Sequence, residues 1–130
     1  MKKAMSTLAL FALLLSLQSA GQKDDTMVKA DGMYIINTTS LGKKVEGYNG
    51  PTPLKIYIKK NKVMKIEALK SQETPKYYAK VKDAIFDKWN NMKVKDASKL
   101  QVDAVTGATY TSKAVIKNVK LGLDYYETHK

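Results

Sequence analysis

Leu54-Lys55-Ile56-Tyr57-Ile58-Lys59, followed after Lys60-Asn61-Lys62 by Val63-Met64-Lys65-Ile66-Glu67-Ala68-Leu69, is the stretch that decides the fold. Leu54, Ile56 and Ile58 alternate with Lys55, Tyr57 and Lys59, the period of two that sends one row of side chains into a core and the other into water. Met64, Ile66 and Ala68 repeat the pattern against Lys65 and Glu67, so the two runs pair as an antiparallel hairpin about the polar break. Upstream, residues 33–39 are rich in β-formers and supply a third strand.

Between these strands, Gly47-Tyr48-Asn49-Gly50-Pro51 must turn, because two glycines, an asparagine and a proline in five residues cannot continue a strand. After the hairpin, Thr74 before Pro75 marks a helix start: Thr can cap free N–H groups and Pro is tolerated at the first helical position. Tyr78, Val81, Ile85, Trp89 and Met92 then recur every three or four residues, one stripe of a helix facing the sheet. Trp89 reads as core. Residues 100–105 form either a short strand or an extended approach, and a second helix covers residues 111–125 with Val115, Val119 and Leu123 along one side. Strands, helix and second helix in that order specify an α+β domain: an antiparallel sheet with two main helices packed on it.

The N-terminus reads as an export signal over residues 1–21. Lys2 and Lys3 give the positive end, residues 8–17 the apolar run, and Ser19, Ala20 and Gly21 the small residues of a cleavage site. The apolar run is too short to span a bilayer, and Ser16, Gln18 and the polar residues 22–25 argue against a retained anchor. Residues 22–30 then form a flexible lead-in, and the folded domain occupies 31–130. The mature chain is expected to be soluble and extracytoplasmic, periplasmic or secreted, without stable insertion into a membrane.

The chain carries a net charge of +11, and removing Lys2 and Lys3 leaves 21 of its 23 basic residues against 12 acidic ones, a net +9. Such a surface attracts anions: a phosphate-bearing cofactor, an acidic redox partner or an anionic membrane. Nucleic acid is the weakest candidate, since the protein is exported and has no arginine for bidentate contacts to guanine. No cysteine is present, so disulfides, Cys-ligated clusters and a lipidated Cys are excluded. The one histidine, His129, lies one residue from the end, where chains usually fray, and no metal site is expected.

Chemistry concentrates in Thr106-Gly107-Ala108-Thr109-Tyr110-Thr111-Ser112, where small residues and hydroxyls crowd the start of the second helix. The free N–H groups and positive dipole end of a helix make a seat for phosphate, Gly107 lets the backbone turn tightly, and Ala108 leaves room. Thr and Ser ahead of a helix ordinarily act as caps, so spacing alone does not establish a ligand.

The segment Asp103-Ala104-Val105-Thr106-Gly107-Ala108-Thr109 resembles, without a gap, the flavinylation motif of FMN-binding domains: Asp, two variable residues, Ser or Thr, then Gly-Ala-Thr. Gly47-Tyr48-Asn49-Gly50-Pro51 with its following strand, and Glu73-Thr74-Pro75, are similar to two further motifs of that family. Together they run from Gly47 to Ser112. Such domains occur in flavin subunits of the Rnf and sodium-pumping NADH:quinone reductase complexes, in nitrous-oxide respiration regulators, and in small extracytoplasmic redox proteins, the kind this chain resembles.

The resemblance implies FMN joined to Thr109 through a phosphoester bond made outside the cytoplasm by a flavin transferase. It implies Thr106, Thr111 and Ser112 as hydroxyl partners of the phosphate, Gly107 and Ala108 as backbone donors, and Tyr48, Glu73, Thr74 and Pro75 around the isoalloxazine. Asp103 serves either transferase recognition or a turn that bonds its own backbone. Tyr77 and Tyr78 adjoin the flavin segment, although Tyr78 also fits the core stripe. Two positions depart from the family: Thr106 stands where Ser is frequent, and Lys76 where Gly is frequent, which changes the backbone angles open to the loop near the flavin.

The expected function is therefore electron relay to or from a membrane complex or soluble redox protein, with no catalytic residues of its own. No Ser-His-Asp set, dinucleotide-binding glycine fingerprint or acid–base pair is evident. Two alternatives remain at this stage: a non-redox, secreted basic module that binds an anionic ligand or acidic partner, and an electron-supplying subunit of a reductase whose catalytic part is another chain.

Overall fold

The computed structural model describes residues 25–130; the leader read over residues 1–21 lies outside them. Four strands, β1 (Met27–Ala30), β2 (Met33–Asn37), β3 (Leu54–Lys59) and β4 (Lys62–Ala68), form one sheet in the order β1-β2-β3-β4. Every neighbouring pair is antiparallel. Three helices follow: α1 (Pro75–Ile85), the short α2 (Val94–Ala97) and α3 (Thr109–His129). The architecture is α+β, with the helices packed on one face of a four-stranded antiparallel sheet.

Both end hairpins close on two-residue turns with left-handed backbones. Asp31 and Gly32 have φ of 54° and 76°, and Lys60 and Asn61 have φ of 52° and 62°. Positive φ at both central residues matches the right-handed twist of the flanking strands. The Asp-Gly turn folds Met27–Ala30 back onto β2, so the sheet begins four residues before position 31, within the segment read as a lead-in. That strand escapes a period-two reading because it is only four residues long and, at the sheet edge, largely exposed.

The alternation in β3 holds: Leu54, Ile56 and Ile58 are fully buried. In β4 it slips. Tyr57 pairs with Lys65 while Ile58 pairs with Val63, leaving Met64 as the extra residue of a β-bulge. Val63 takes the core position and Met64 is exposed, because a one-residue shift exchanges the faces of a strand.

Thr74 is extended (φ −64°, ψ 121°) and Pro75 opens α1, as expected, but the Thr74 hydroxyl makes no capping bond. The helix stops at Ile85, short of the expected stripe, and Trp89 reaches the core from the turns that follow. There the chain runs back along the edge of β4: Val63 N–H donates to Met92 O at 2.9 Å and Asn91 N–H to Val63 O at 2.7 Å. Those bonds satisfy an exposed sheet edge, which a continued helix would have left open. Residues 100–105 form no strand and approach α3 as an extended segment.

The last helix starts two residues earlier than its apolar pattern suggests and continues to His129, whose ring stacks on Tyr125 at 3.7 Å. Val115, Val119 and Leu123 bury against the sheet. Gly122 lets α3 approach closely: a β-carbon there would lie 2.5 Å from Ile56 Cδ1. Asn118, fully buried, ties the helix to the loop before β3 by donating from Nδ2 to Thr52 Oγ1 at 3.1 Å. Among the described residues no helix is long and apolar enough to cross a membrane.

Candidate functional site

Beyond the end of the sheet where β3 begins and β4 ends, three segments converge: the loop carrying Tyr48, the first turn of α1 and the first turn of α3. They enclose a cleft of about 370 Å³ lined by Tyr48, Thr74, Tyr77, Gly107, Ala108, Thr109, Tyr110 and Thr111. None of these residues belongs to a strand, so the sheet acts as the platform and the connections carry the site.

The start of α3 follows from its sequence. Gly107 takes φ of 85°, a left-handed angle that a residue with a β-carbon adopts only with strain, and the turn it makes delivers Ala108 as the residue before the helix. The first intrahelical bond runs from Ser112 N–H to Ala108 O at 2.9 Å. The amides of Thr109, Tyr110 and Thr111 therefore precede the helical ladder at its positive end. Thr109 is the first residue of the helix and exposed, not the last residue of the loop.

Behind the cleft, Glu73 joins two of its walls. The residue is only 5 % exposed. It accepts from Tyr48 N–H on Oε1 at 2.9 Å, from Asn49 N–H on Oε2 at 2.6 Å, and from the Thr111 hydroxyl on Oε1. The loop and the helix are thus fastened to one buried anion, an arrangement in which three charge-assisted bonds offset the desolvation of the carboxylate. Asn49 adds a weaker link, donating from Nδ2 to Thr74 Oγ1 at 3.3 Å. Burial, and then the charge of Glu73, push the Tyr78 phenol well above its ordinary pKa. The Tyr78 hydroxyl has no hydrogen-bond partner among the described residues.

Exposed aromatic rings form the mouth. Tyr48 is 72 % and Tyr110 65 % exposed, and the two rings stack with centroids 6.3 Å apart and planes 29° from parallel. Tyr77 is exposed across from them, with Lys80 Nζ 5.8 Å from its ring centre.

Of the residues singled out from sequence, the cleft gathers Tyr48, Thr74, Gly107, Ala108, Thr109 and Thr111. Ser112 lies behind it: its side chain is fully buried, accepts from Val105 N–H at 2.9 Å and donates to Ala108 O at 2.7 Å. Its hydroxyl bonds the backbone that shapes the loop. Glu73 likewise braces the walls from behind. Thr106 and Pro75 are exposed next to the cleft without lining it. Asp103 faces a second cleft of about 420 Å³ between residues 100–105 and the C-terminal end of α1. Lys76 lies in the first turn of α1 with no left-handed backbone, so nothing at that position requires glycine. Tyr110 is a cleft residue that pattern reading missed; the signal was a large aromatic set among small and hydroxylated residues.

Residues 47–124, more than half of the 130-residue chain, match the FMN-binding domain family. The chain belongs to this family. The match opens on the Tyr48 loop and extends through Glu73 and the start of α3 to Asp124, so it takes in every wall of the cleft. No curated protein is similar enough to the chain to be matched to it. Membership in the FMN-binding domain family gives the protein a flavin-bearing redox role.

Proposed function

We propose that this FMN-binding domain carries its flavin covalently, as a phosphoester on Thr109 Oγ1, and relays electrons outside the cytoplasm. The observation that carries the reading is the position of Thr109: exposed, in the first turn of α3, on the wall of the cleft, and inside an intact Asp103-to-Thr109 motif.

The residues present fit the group. FMN has an anionic end and a flat aromatic end, and the cleft offers a partner for each. The amides of Thr109, Tyr110 and Thr111 at a helix N-terminus suit a phosphoester, an interaction contributing about 0.3–1 kcal/mol from the dipole alone. The Tyr48, Tyr77 and Tyr110 rings suit the isoalloxazine. When bound, the flavin supplies the redox chemistry. The chain's own residues hold and orient: Gly107 and Ala108 bring the backbone close, Thr106 adds a hydroxyl beside the anion, and Thr111 and Ser112 fix the turn through Glu73 and Val105. Thr74 and Pro75 set the start of the opposite wall. Asp103, six residues ahead of Thr109 in a separate cleft, is free for recognition by the flavin transferase that makes the bond.

In this reading residues 1–21 direct export and are removed, and the mature domain exchanges electrons with a membrane complex or a soluble redox protein. Attachment replaces the Thr109 hydroxyl proton and one phosphate hydroxyl, so the product weighs the chain plus FMN less one water. The test compares Thr109→Ala and Thr111→Ala after export beside the transferase. Thr109→Ala should carry no covalent flavin, and Thr111→Ala should keep it at reduced yield. Flavin retained in Thr109→Ala and lost in Thr111→Ala would reassign the attachment.

A further inference from the structure

The face of the sheet away from the helices has a composition that the redox role does not use. The pairing sets Val28 beside Ile35, Ile35 beside Tyr57 and Tyr57 beside Lys65, and, one row along, Met33 beside Lys59 and Lys59 beside Lys62. Val28, Met33, Ile35 and Tyr57 take no part in the helix-side core, and Val28 is 45 % exposed. The bulged Met64 is exposed next to Lys65. A low apolar strip thus runs across β1, β2 and β3 and ends near the bulged Met64 of β4, bordered by Lys55, Lys59, Lys62 and Lys65. On the other side Lys55 pairs with Glu67, whose carboxylate accepts from the Tyr57 hydroxyl at 2.7 Å. Lys65 Nζ sits 4.7 Å from the centre of the Tyr57 ring, so the charge lies directly over the apolar strip.

We infer that this outer sheet face adsorbs the domain to the surface of an anionic phospholipid membrane. Charge complementarity favours an anionic partner: four ammonium groups flank the strip against the carboxylates of Glu67 and, in the β1–β2 turn, Asp31. Two features select a fluid bilayer over a structured acidic protein. Protein interfaces favour arginine, whose planar fork matches carboxylates, and are depleted in lysine, whereas this chain has no arginine. Lysine ammonium groups on flexible stems need no fixed geometry, so they follow mobile headgroups while their methylenes and the apolar strip meet the interface. Adsorption by this face leaves the flavin cleft open, since no residue lining the cleft belongs to the sheet. The adsorption is independent of what Thr109 carries.

The test is co-sedimentation of the mature chain with vesicles of phosphatidylcholine alone and of phosphatidylcholine mixed with phosphatidylglycerol, at low and high salt. Binding is expected only to the mixed vesicles, falling as salt rises. Each lysine near an anionic surface is worth roughly fivefold in partitioning, so the Lys59→Gln/Lys65→Gln pair should weaken binding by roughly 25-fold. Lys95→Gln/Lys99→Gln, which removes the same charge from the α2 side of the molecule, should change it by less than about twofold by the same reasoning. Circular dichroism and Tm of each variant establish that it is folded. A folded wild-type chain that stays in the supernatant with both vesicle types would overturn the proposal, as would equal losses in the two variant pairs, which would reduce the effect to net charge.

Discussion

Glu73 is the residue whose removal tests the construction of the cleft most sharply. Glu73→Ala withdraws one buried anion from three donors, the amides of Tyr48 and Asn49 and the hydroxyl of Thr111. Bonds to a charged acceptor contribute about 1.5–3 kcal/mol each. The two amides belong to exposed loop residues and regain water, which puts them at the low end, while the Thr111 hydroxyl is buried and regains nothing. The expected loss is about 3–5 kcal/mol, and at roughly 5 °C per kcal/mol for a domain of about 100 residues Tm should fall by roughly 15–25 °C. Glu73→Gln separates charge from shape. Its carbonyl can still accept from Tyr48 and Thr111, but its amide group points N–H at the Asn49 N–H, so about 2 kcal/mol should go. Urea unfolding of wild type, Glu73→Ala, Glu73→Gln, Thr111→Val and the Gln/Val double variant closes the cycle, with a coupling of about 1 kcal/mol or more between Glu73 and Thr111. Stability of Glu73→Ala within about 0.5 kcal/mol of wild type would refute the brace and, with it, the explanation of why the Tyr48 loop sits against α3.

Three further outcomes follow from the same geometry. Gly122→Ala should destabilise by roughly 1–3 kcal/mol in thermal or urea unfolding, because the new β-carbon meets Ile56 Cδ1 and Thr38 Cγ2; helix propensity alone predicts a gain of about 1 kcal/mol, so the sign decides. The folded Tyr78 pKa lies above the unfolded value of about 10, so the stabilising neutral form is complete below that pH and its contribution is lost as pH rises beyond it. Tyr78→Phe should therefore flatten the alkaline fall of stability and, by deleting a hydroxyl with no partner among the described residues, leave stability at pH 7 equal or higher by up to about 1 kcal/mol; a steep alkaline fall unchanged in the variant would contradict it. Tyr110→Ala should raise native flavin fluorescence severalfold while leaving the covalent flavin of the denatured protein unchanged, since an electron-rich ring stacked on the isoalloxazine quenches it; equal native fluorescence would remove Tyr110 from the ring site.

Much of the fold was legible because its signals are local. The alternation of Leu54, Ile56 and Ile58, the polar break at Lys60-Asn61-Lys62 and the Thr74-Pro75 start all act within a few residues of themselves. What misled the reading was non-local. Met64 looked like a core residue until the register against β3 inserted a bulge. The stripe through Trp89 looked like one helix because burial, not helix, is what the stripe reports; β4's open edge captured the segment after Ile85 instead. Met27–Ala30 was missed and read as lead-in; the overlooked signal was the Asp31-Gly32 turn, a hairpin signal stronger than the short strand it joins. At the site, the motif pointed to Thr109 and the neighbouring loop, while the internal bonds were hidden: only tertiary packing brings Glu73 to the Tyr48 and Asn49 amides and the Thr111 hydroxyl, and Ser112 to the Val105 amide.

The central claim is the bond at Thr109, and intact mass of the denatured wild-type protein, exported beside a flavin transferase and followed by peptide mapping, tests it most directly. The account predicts a gain of one FMN less one water, confined to the peptide that contains Thr109 and fluorescent after denaturation. A folded protein exposed to the transferase that shows no mass gain, or carries the flavin on a different peptide, would contradict it.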